Sequence, residues 1–512
     1  MTMLNPGMQV IPPPPPMLGP LLPRPGEPGW SVWPRRVWPM EPLAAAPRRV
    51  LGVAVMAAVF GTALWRPSVL SIGYLVAGVI VFGAVYGTAP RRPTRTEWAG
   101  MALTLALLAV PALLAAVWLG VLCIMAAWIT GWCTLVGGRT WTALVAGPLV
   151  PWALPARVAG WARRGARTSA LRKGAPDLGR VVVVAAVSAV VLFVFGGLFA
   201  AADAAFAHVL GTFTPTLRVD EFIARCGVFV IVLALILAGG YLLRFPPRLD
   251  AMAPTPAKPL RRWEWAVPLA VLDALFLAFV AVQATVLFGG HAHVLETEGL
   301  TYAEYARQGF WQLLGVSALT LLVLAVVVRV AARTTPSDRR TVRLLVGILC
   351  GTSIVVVVSA IHRMWLYQEA YGFSVLRLLV ITVELWLGAV FLLVAAAGVR
   401  MDGRWLPRAV LVAGVVALLG LAAINPERVI ADRNIDRYLQ TGQLDAGYLS
   451  SLSPDIDPAL DRLPEAMRGC VTREDATPES WYLFNLSRAV SDRPVESSHL
   501  PDGCDEFYWE WD

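Results

Sequence analysis

Residues 343–400 read RLLVGILCGTSIVVVVSAIHRMWLYQEAYGFSVLRLLVITVELWLGAVFLLVAAAGVR. Two apolar runs, 343–361 and 373–398, flank the polar and aromatic stretch HRMWLYQEAYGFSVLR at 362–377. A helix needs roughly 20 mostly apolar residues to cross the hydrocarbon of a bilayer. Each run meets that length, so the stretch predicts a helical hairpin through a membrane. Arg343 and Arg400 then lie at the same open end, away from the polar turn.

The same pattern continues outward in both directions. Further apolar runs cover 50–66, 68–89, 97–117, 118–138, 180–203, 221–243, 263–289, 310–331 and 406–423, which makes eleven. Almost no loop separates 97–117 from 118–138. Hydrophobic residues make up 57% and charged residues 15% of the 512, with a mean hydropathy of +0.63. A soluble chain carries about 25% charged residues. The expected fold is therefore all-α: a polytopic helical membrane bundle of about eleven spans, with the lipid bilayer as its partner.

Charge sets the orientation. Connectors 1–49, 90–96, 139–180, 244–262, 329–343 and 399–408 hold 29 Lys or Arg. The alternate connectors and helix mouths hold 6: Arg66, Arg218, Arg225, Arg307, Arg363 and Arg377. Positive charge is retained on the cytoplasmic side. This predicts a membrane protein with the N terminus cytoplasmic and the C terminus extracytoplasmic. The net charge of +8 follows from that bias and does not indicate nucleic-acid binding. From residue 424 the tail has 8 basic and 18 acidic residues, the opposite balance.

Three regions follow. Residues 1–49 form a Pro-rich tail, disordered by composition, with an interfacial patch of Trp30, Trp33, Trp38, Arg35 and Arg36. Residues 50–423 form the transmembrane domain. Within it WTALVAGPLVPWALP, 141–155, is broken by Pro148, Pro151 and Pro155 and has basic residues on both flanks. It is expected to be interfacial or re-entrant, the alternative being a twelfth span. Residues 424–512 form a small acidic extracytoplasmic domain, with helices expected at 426–440 and 479–490 and a turn-rich unit at 444–463. Cys123, Cys133, Cys226 and Cys350 lie in or beside spans as packing residues. Cys470 and Cys504 are a possible disulfide, which an oxidising outer compartment permits.

Two segments at the outer mouths combine charge with aromatics. TYAEYARQGF, 301–310, opens with a Thr301–Glu304 capping box, and Arg307 lies one turn after Glu304. It is either a helix start or an outer binding surface of Tyr302, Glu304, Tyr305, Arg307 and Gln308. In the second, 362–377, Gly372 is placed to end one helix and Ser374 to cap the next. His362, Arg363, Tyr367, Glu369, Tyr371 and Arg377 are either interfacial anchors or a site for a head group or small molecule. His291 and His293 with Glu296 and Glu298 have weak metal spacing, and no cofactor or metal is expected. Asp203 and Asp220 mark helix ends.

These two segments, with NPERVIADRNIDRYLQTGQLDAGYLSSLSPDIDPAL and SWYLFNLSRA, resemble in the same order the bacterial membrane proteins called domain of unknown function 4173, related to 4153. The resemblance covers roughly 180–490. It implies a polytopic integral membrane protein and implies no reaction.

Buried ionisable residues are functional pointers inside a membrane. Asp273 and Glu384 fall near the middle of their runs, with Gln283 further along the first and Trp386 beside the second. They are either neutral acids bonded between helices or a proton-linked site. No G-x-S-x-G, Walker loop, H-E-x-x-H or C-x-x-C occurs, so no catalytic residue is assigned. The expected function is sensing, scaffolding or binding of a protein partner through the outer face. The alternative is a small-solute or ion transporter with mid-membrane carboxylates.

Overall fold

The computed structural model describes residues 37–38, 44–170, 219–253, 260–288, 302–331, 335–442, 444–471 and 480–491, with the single positions 188, 195 and 199. Side chains are described within these except at 169–170, 219–222, 284–288, 302–311, 369–370 and 466. The run 180–203, the tail 1–29 with Trp30, Trp33, Arg35 and Arg36, the cluster His291, His293, Glu296 and Glu298, and Cys504 lie outside the described residues or nearly so.

The first helices are α1 (Arg48–Leu64), α2 (Ile72–Gly87), α3 (Arg95–Leu113) and α4 (Val117–Val136). The Pro-rich stretch then gives short helices α5 (Trp141–Ala146) and α6 (Val150–Ala153), followed by α7 (Pro155–Ala170). The second half holds α8 (Val219–Leu242), α9 (Arg262–Phe288), α10 (Tyr302–Val330), α11 (Pro336–Tyr371), α12 (Val375–Arg400) and α13 (Leu406–Ala423). No strand occurs among the described residues.

Eight of these helices are long and apolar enough to cross a membrane, or nine if the pair bent by 53° at Leu154 counts as one. Among the described residues this leaves three of the eleven expected runs unmatched. Runs 50–66 and 68–89 become helices of only 17 and 16 residues. Arg66-Pro67 stops the first, and Ser71, whose hydroxyl accepts from Gly73 N–H at 3.3 Å, starts the second. The third, 180–203, is outside the described residues. The other eight coincide with expected runs. Runs 97–117 and 118–138 are indeed separate helices, divided by Leu114–Ala116 after Pro111.

The helix ends have local causes. Thr94 and Glu97 form a reciprocal capping box at α3, as do Thr335 and Asp338 at α11. Gly137 closes α4 with φ 76°, a left-handed turn that glycine adopts without penalty. Helix α11 is 36 residues long. At 1.5 Å per residue it exceeds the hydrocarbon thickness of about 30 Å. The stretch from His362 to Tyr371 is thus its last turns and not a connector, and the true turn is only Gly372–Ser374.

The described residues after α13 form a helical unit: α14 (Pro426–Thr441), α15 (Ala446–Ser450), α16 (Asp457–Leu460), α17 (Glu465–Arg468) and α18 (Leu486–Val490). Ile430, Ile435, Leu449, Ile456 and Leu460 make its core, and Phe373, Val375 and Leu378 of the bundle pack against it. The helix expected over 479–490 is cut to α18 and a 3-10 turn at Trp481–Leu483. The residues between are extended because Phe484 C=O accepts from Ile72 N–H at 2.9 Å.

Long-range contacts sort the connectors into two faces. The tail unit meets residues 70–72, 111–116 and 372–375. On the opposite, Arg-rich face Arg408 meets Gly137 and Gly138, Asp250 meets Arg139 and Thr140, and Arg244 meets Thr88. Trp38, from the expected interfacial patch, lies on this face as well. Its ring N–H donates to Phe245 C=O at 3.3 Å, and Arg157 stacks over it. The grouping matches the sequence alternation, whichever compartment each face meets.

Candidate functional site

The break between α3 and α4 leaves helix-end N–H and C=O groups without intrahelical partners. Tail residues fill both needs. Asp455, 2% exposed, accepts from Ala115 N–H at 3.0 and 3.1 Å and from Ala116 N–H at 3.0 Å. Its negative charge meets the positive end of the α4 dipole. Asn485, fully buried, donates to Pro111 C=O at 2.9 Å and Leu114 C=O at 2.8 Å. Glu427 accepts from the Trp118 ring N–H at 2.9 Å and from Ser453 N–H at 2.7 Å. Arg488 adds a bond to Leu70 C=O at 2.9 Å. The tail unit is therefore clamped to the bundle by charge-assisted bonds, with those of Asp455 and that of Asn485 to Pro111 buried.

Beside this seam the end of α11, the start of α12 and the tail enclose a cavity of about 390 Å³. Three residues from the predicted surface line it together: Tyr367, Tyr371 and Arg377. The Tyr367 and Tyr371 rings are 5.0 Å apart, and the Arg377 guanidinium lies 4.4 Å over Tyr367. Arg377 also donates to Tyr371 C=O at 3.2 Å and to Gly372 C=O. The tail supplies the other wall with Asn434, Arg437, Asp445 and Tyr448.

The turn at the cavity floor is held from the tail. Asn434 accepts from Phe373 N–H at 2.9 Å and donates to Phe373 C=O at 3.0 Å. Gly372 has φ 81°, and a Cβ there would stand 2.8 Å from Asn434 Oδ1. The Ser374 side chain does not cap α12 as expected. The Val375 N–H instead donates to the Tyr448 hydroxyl at 3.0 Å, and burial raises that phenol above its ordinary pKa. Asp445 is committed to Tyr448 N–H at 2.7 Å. Half-buried Arg437 lines the cavity, and its guanidinium has no protein partner among the described residues.

Among the other predicted surface residues, those with described side chains do not join this cavity. His362 is exposed and Arg363 half-buried on α11, and neither lines it. The side chains of Glu369, Tyr302, Glu304, Tyr305 and Arg307 are outside the described set, as is that of Asp220. Cys470 is buried and disulfide-bonded.

Asp273 is 3% exposed and Glu384 0% exposed, and none of their four carboxyl oxygens has a hydrogen-bond partner among the described residues. Gln283 accepts from Ser359 at 3.2 Å rather than approaching Asp273. Trp386 donates to Val410 C=O at 3.4 Å rather than to Glu384. The Gln283–Ser359 register sets Asp273 level with Leu349 on α11. Gly388 faces Val357 across α11–α12, which sets Glu384 level with Ile361. Twelve residues of helix separate these levels, about 18 Å at 1.5 Å per residue. The two acids therefore occupy separate places, and neither lines the cavity at the seam.

Sequence reasoning assigned no role to Asp455, Glu427, Asn485, Asn434 or Arg437. All five lie in the motifs that carried the resemblance. The local cue was a polar residue set among apolar helix positions, such as Glu427 three residues before Ile430. No match was found among curated proteins or among solved structures. A family model described as "Domain of unknown function (DUF4153)" matches residues 99–463. That span runs from within α3 through α16, includes the seam acids Glu427 and Asp455 and every residue lining the cavity, and ends before Asn485. The chain belongs to the DUF4153 family.

Proposed function

We propose that this chain is a multi-pass protein of the bacterial plasma membrane that recognises a small organic anion at its outer face. The seam cavity is the site and the clamped tail is its fixed wall. The observation that carries the reading is Arg437, a cation with no protein partner among the described residues, in a 390 Å³ cavity walled by tyrosines. Ligand sites of this kind are mostly apolar or aromatic with a few placed polar groups. A rigid wall built jointly by bundle and tail suits a sensor or scaffold, because occupancy is felt by both parts. The cytoplasmic N terminus and extracytoplasmic tail rest on the 29-to-6 split of basic residues. The Cys470 disulfide accords with an oxidising compartment for that tail.

The test is a thermal-unfolding screen of the detergent-solubilised protein against small carboxylates and phosphate esters. A binding anion should raise the midpoint in the wild type and not in Arg437→Gln. No stabilising anion, or equal stabilisation of the variant, would overturn the ligand reading. A reporter fused at the C terminus tests the orientation separately.

A second reading is a small-solute or ion transporter, favoured by the unpartnered burial of Asp273 and Glu384. Their separation along α11 weighs against one shared proton site. Flux in reconstituted vesicles that falls in Asp273→Asn or Glu384→Gln would favour transport over recognition.

A further inference from the structure

The Arg-rich face holds a larger cavity, of about 550 Å³, between α3, α4, the Gly137–Arg139 turn and α13. It lies on the opposite side of the bundle from the seam. That volume is more room than a bare phosphate fills.

Its rim is cationic. Arg91, Arg139 and Arg408 line it against a single acid, Glu97. Glu97 is already saturated. It accepts from Arg91 at 2.7 and 2.8 Å, from Thr94 N–H at 2.7 Å and from the Thr94 hydroxyl at 2.9 Å. Arg408 is fixed over the end of α4, donating to Gly137 C=O at 2.8 Å and to Gly138 C=O at 3.1 and 3.2 Å. The Arg139 backbone N–H is spent on Asp250 at 2.9 Å. Its exposed guanidinium has no protein partner among the described residues. The lining residues carry a balance of two positive charges, with the Asp250 carboxylate behind the Arg139 backbone, and Arg408 is held in place by its backbone bonds.

The other wall is greasy. Leu103, Val412 and Val415 line the same cavity deeper in the bundle. Trp98, 62% exposed on the first turns of α3, is where an interfacial tryptophan would sit. Cations at the rim with aliphatic side chains beneath them match an amphiphile whose anionic end stays at the membrane surface. Basic pockets between membrane helices hold anionic head groups on this principle.

We propose that this cavity is a binding site for the phosphate head group of an anionic phospholipid, with an acyl chain along Leu103, Val412 and Val415. The test is native mass spectrometry of the detergent-solubilised full chain titrated with phosphatidylglycerol, with phosphatidylcholine and with glycerol 3-phosphate. The wild type should retain phosphatidylglycerol over phosphatidylcholine. Arg139→Gln should weaken phosphatidylglycerol retention about fivefold, the value of one basic residue near an anionic head group. Val412→Trp, which fills the apolar wall and leaves the charges intact, should also weaken it. Equal retention of the two lipids, or no change in either variant, would overturn the proposal. Tight binding of glycerol 3-phosphate alone would overturn the lipid assignment in favour of a soluble phosphate ester.

Discussion

Asp455 and Glu427 at the seam and Asp273 and Glu384 in the bundle are four acids of similar burial and opposite surroundings. The seam pair is bonded to helix-end N–H groups, an indole and a backbone amide. The bundle pair meets no partner among the described residues. A buried polar group costs free energy unless it is hydrogen-bonded. The seam acids therefore hold two parts of the fold together, whereas the bundle acids tie nothing together among the described residues. Burial alone, which makes all four look alike, does not distinguish a clamp from a liability.

The comparison is broken most directly at Asp455. Asp455→Ala should leave the Ala115 and Ala116 N–H groups unpaired and cost about 3 kcal/mol, since bonds to charged groups are each worth about 1.5–3 kcal/mol. Thermal unfolding in detergent would read the loss, and limited proteolysis would show the tail released before the bundle. A variant as stable as the wild type, with the tail still protected, would mean that the seam does not depend on this carboxylate.

The bundle acids should respond in the other direction. Glu384→Met removes an unpartnered polar group while keeping side-chain volume, and should be neutral or stabilising by about 1–2 kcal/mol. An unfolding midpoint well below wild type would show that Glu384 has a partner and is not an orphan.

The smallest effect belongs to Asp250 on the Arg-rich face. Burial raises its carboxyl, but bonds from Arg139 N–H and from the Thr140 hydroxyl and N–H outweigh that and hold it below its ordinary 3.8. A carboxyl lowered in the folded state stabilises at pH above the unfolded value and loses that contribution as pH falls through the folded one. Between pH 5 and strongly acid conditions the wild type should thus shed a small increment of stability that Asp250→Asn does not. Parallel pH profiles for the two proteins would remove Asp250 from the account.

Much of the bundle was legible because it rests on local rules. Apolar length marks a helix, arginine marks one face, and Gly372 marks the end of α11. Two of the eleven expected runs came out short where a proline or a cap cut them, at Pro67 and Ser71. The site was legible only in part. Tyr367, Tyr371 and Arg377 stood out as charge and aromatics at one mouth. Asn434, Arg437, Asp445 and Tyr448 did not, because each looks like an ordinary residue of a solvated helix or turn until the tail folds back on the bundle. The Ser374 cap shows the same limit: its side chain makes no cap bond, and the Val375 N–H is taken by the Tyr448 hydroxyl, 73 positions away in sequence.

The amino-acid sequence by itself determined an all-helical chain, its two-faced distribution of charge and the acidic character of its tail. These follow from hydropathy and electrostatics, which act residue by residue along a helix. Only the tertiary structure decided that Asp455 and Asn485 mend the break between α3 and α4, that Asp273 and Glu384 stand apart, and that two cavities lie on opposite faces. Those outcomes depend on hydrogen bonds between residues hundreds of positions apart, and such bonds exist only once the packing of the helices has brought donor and acceptor together.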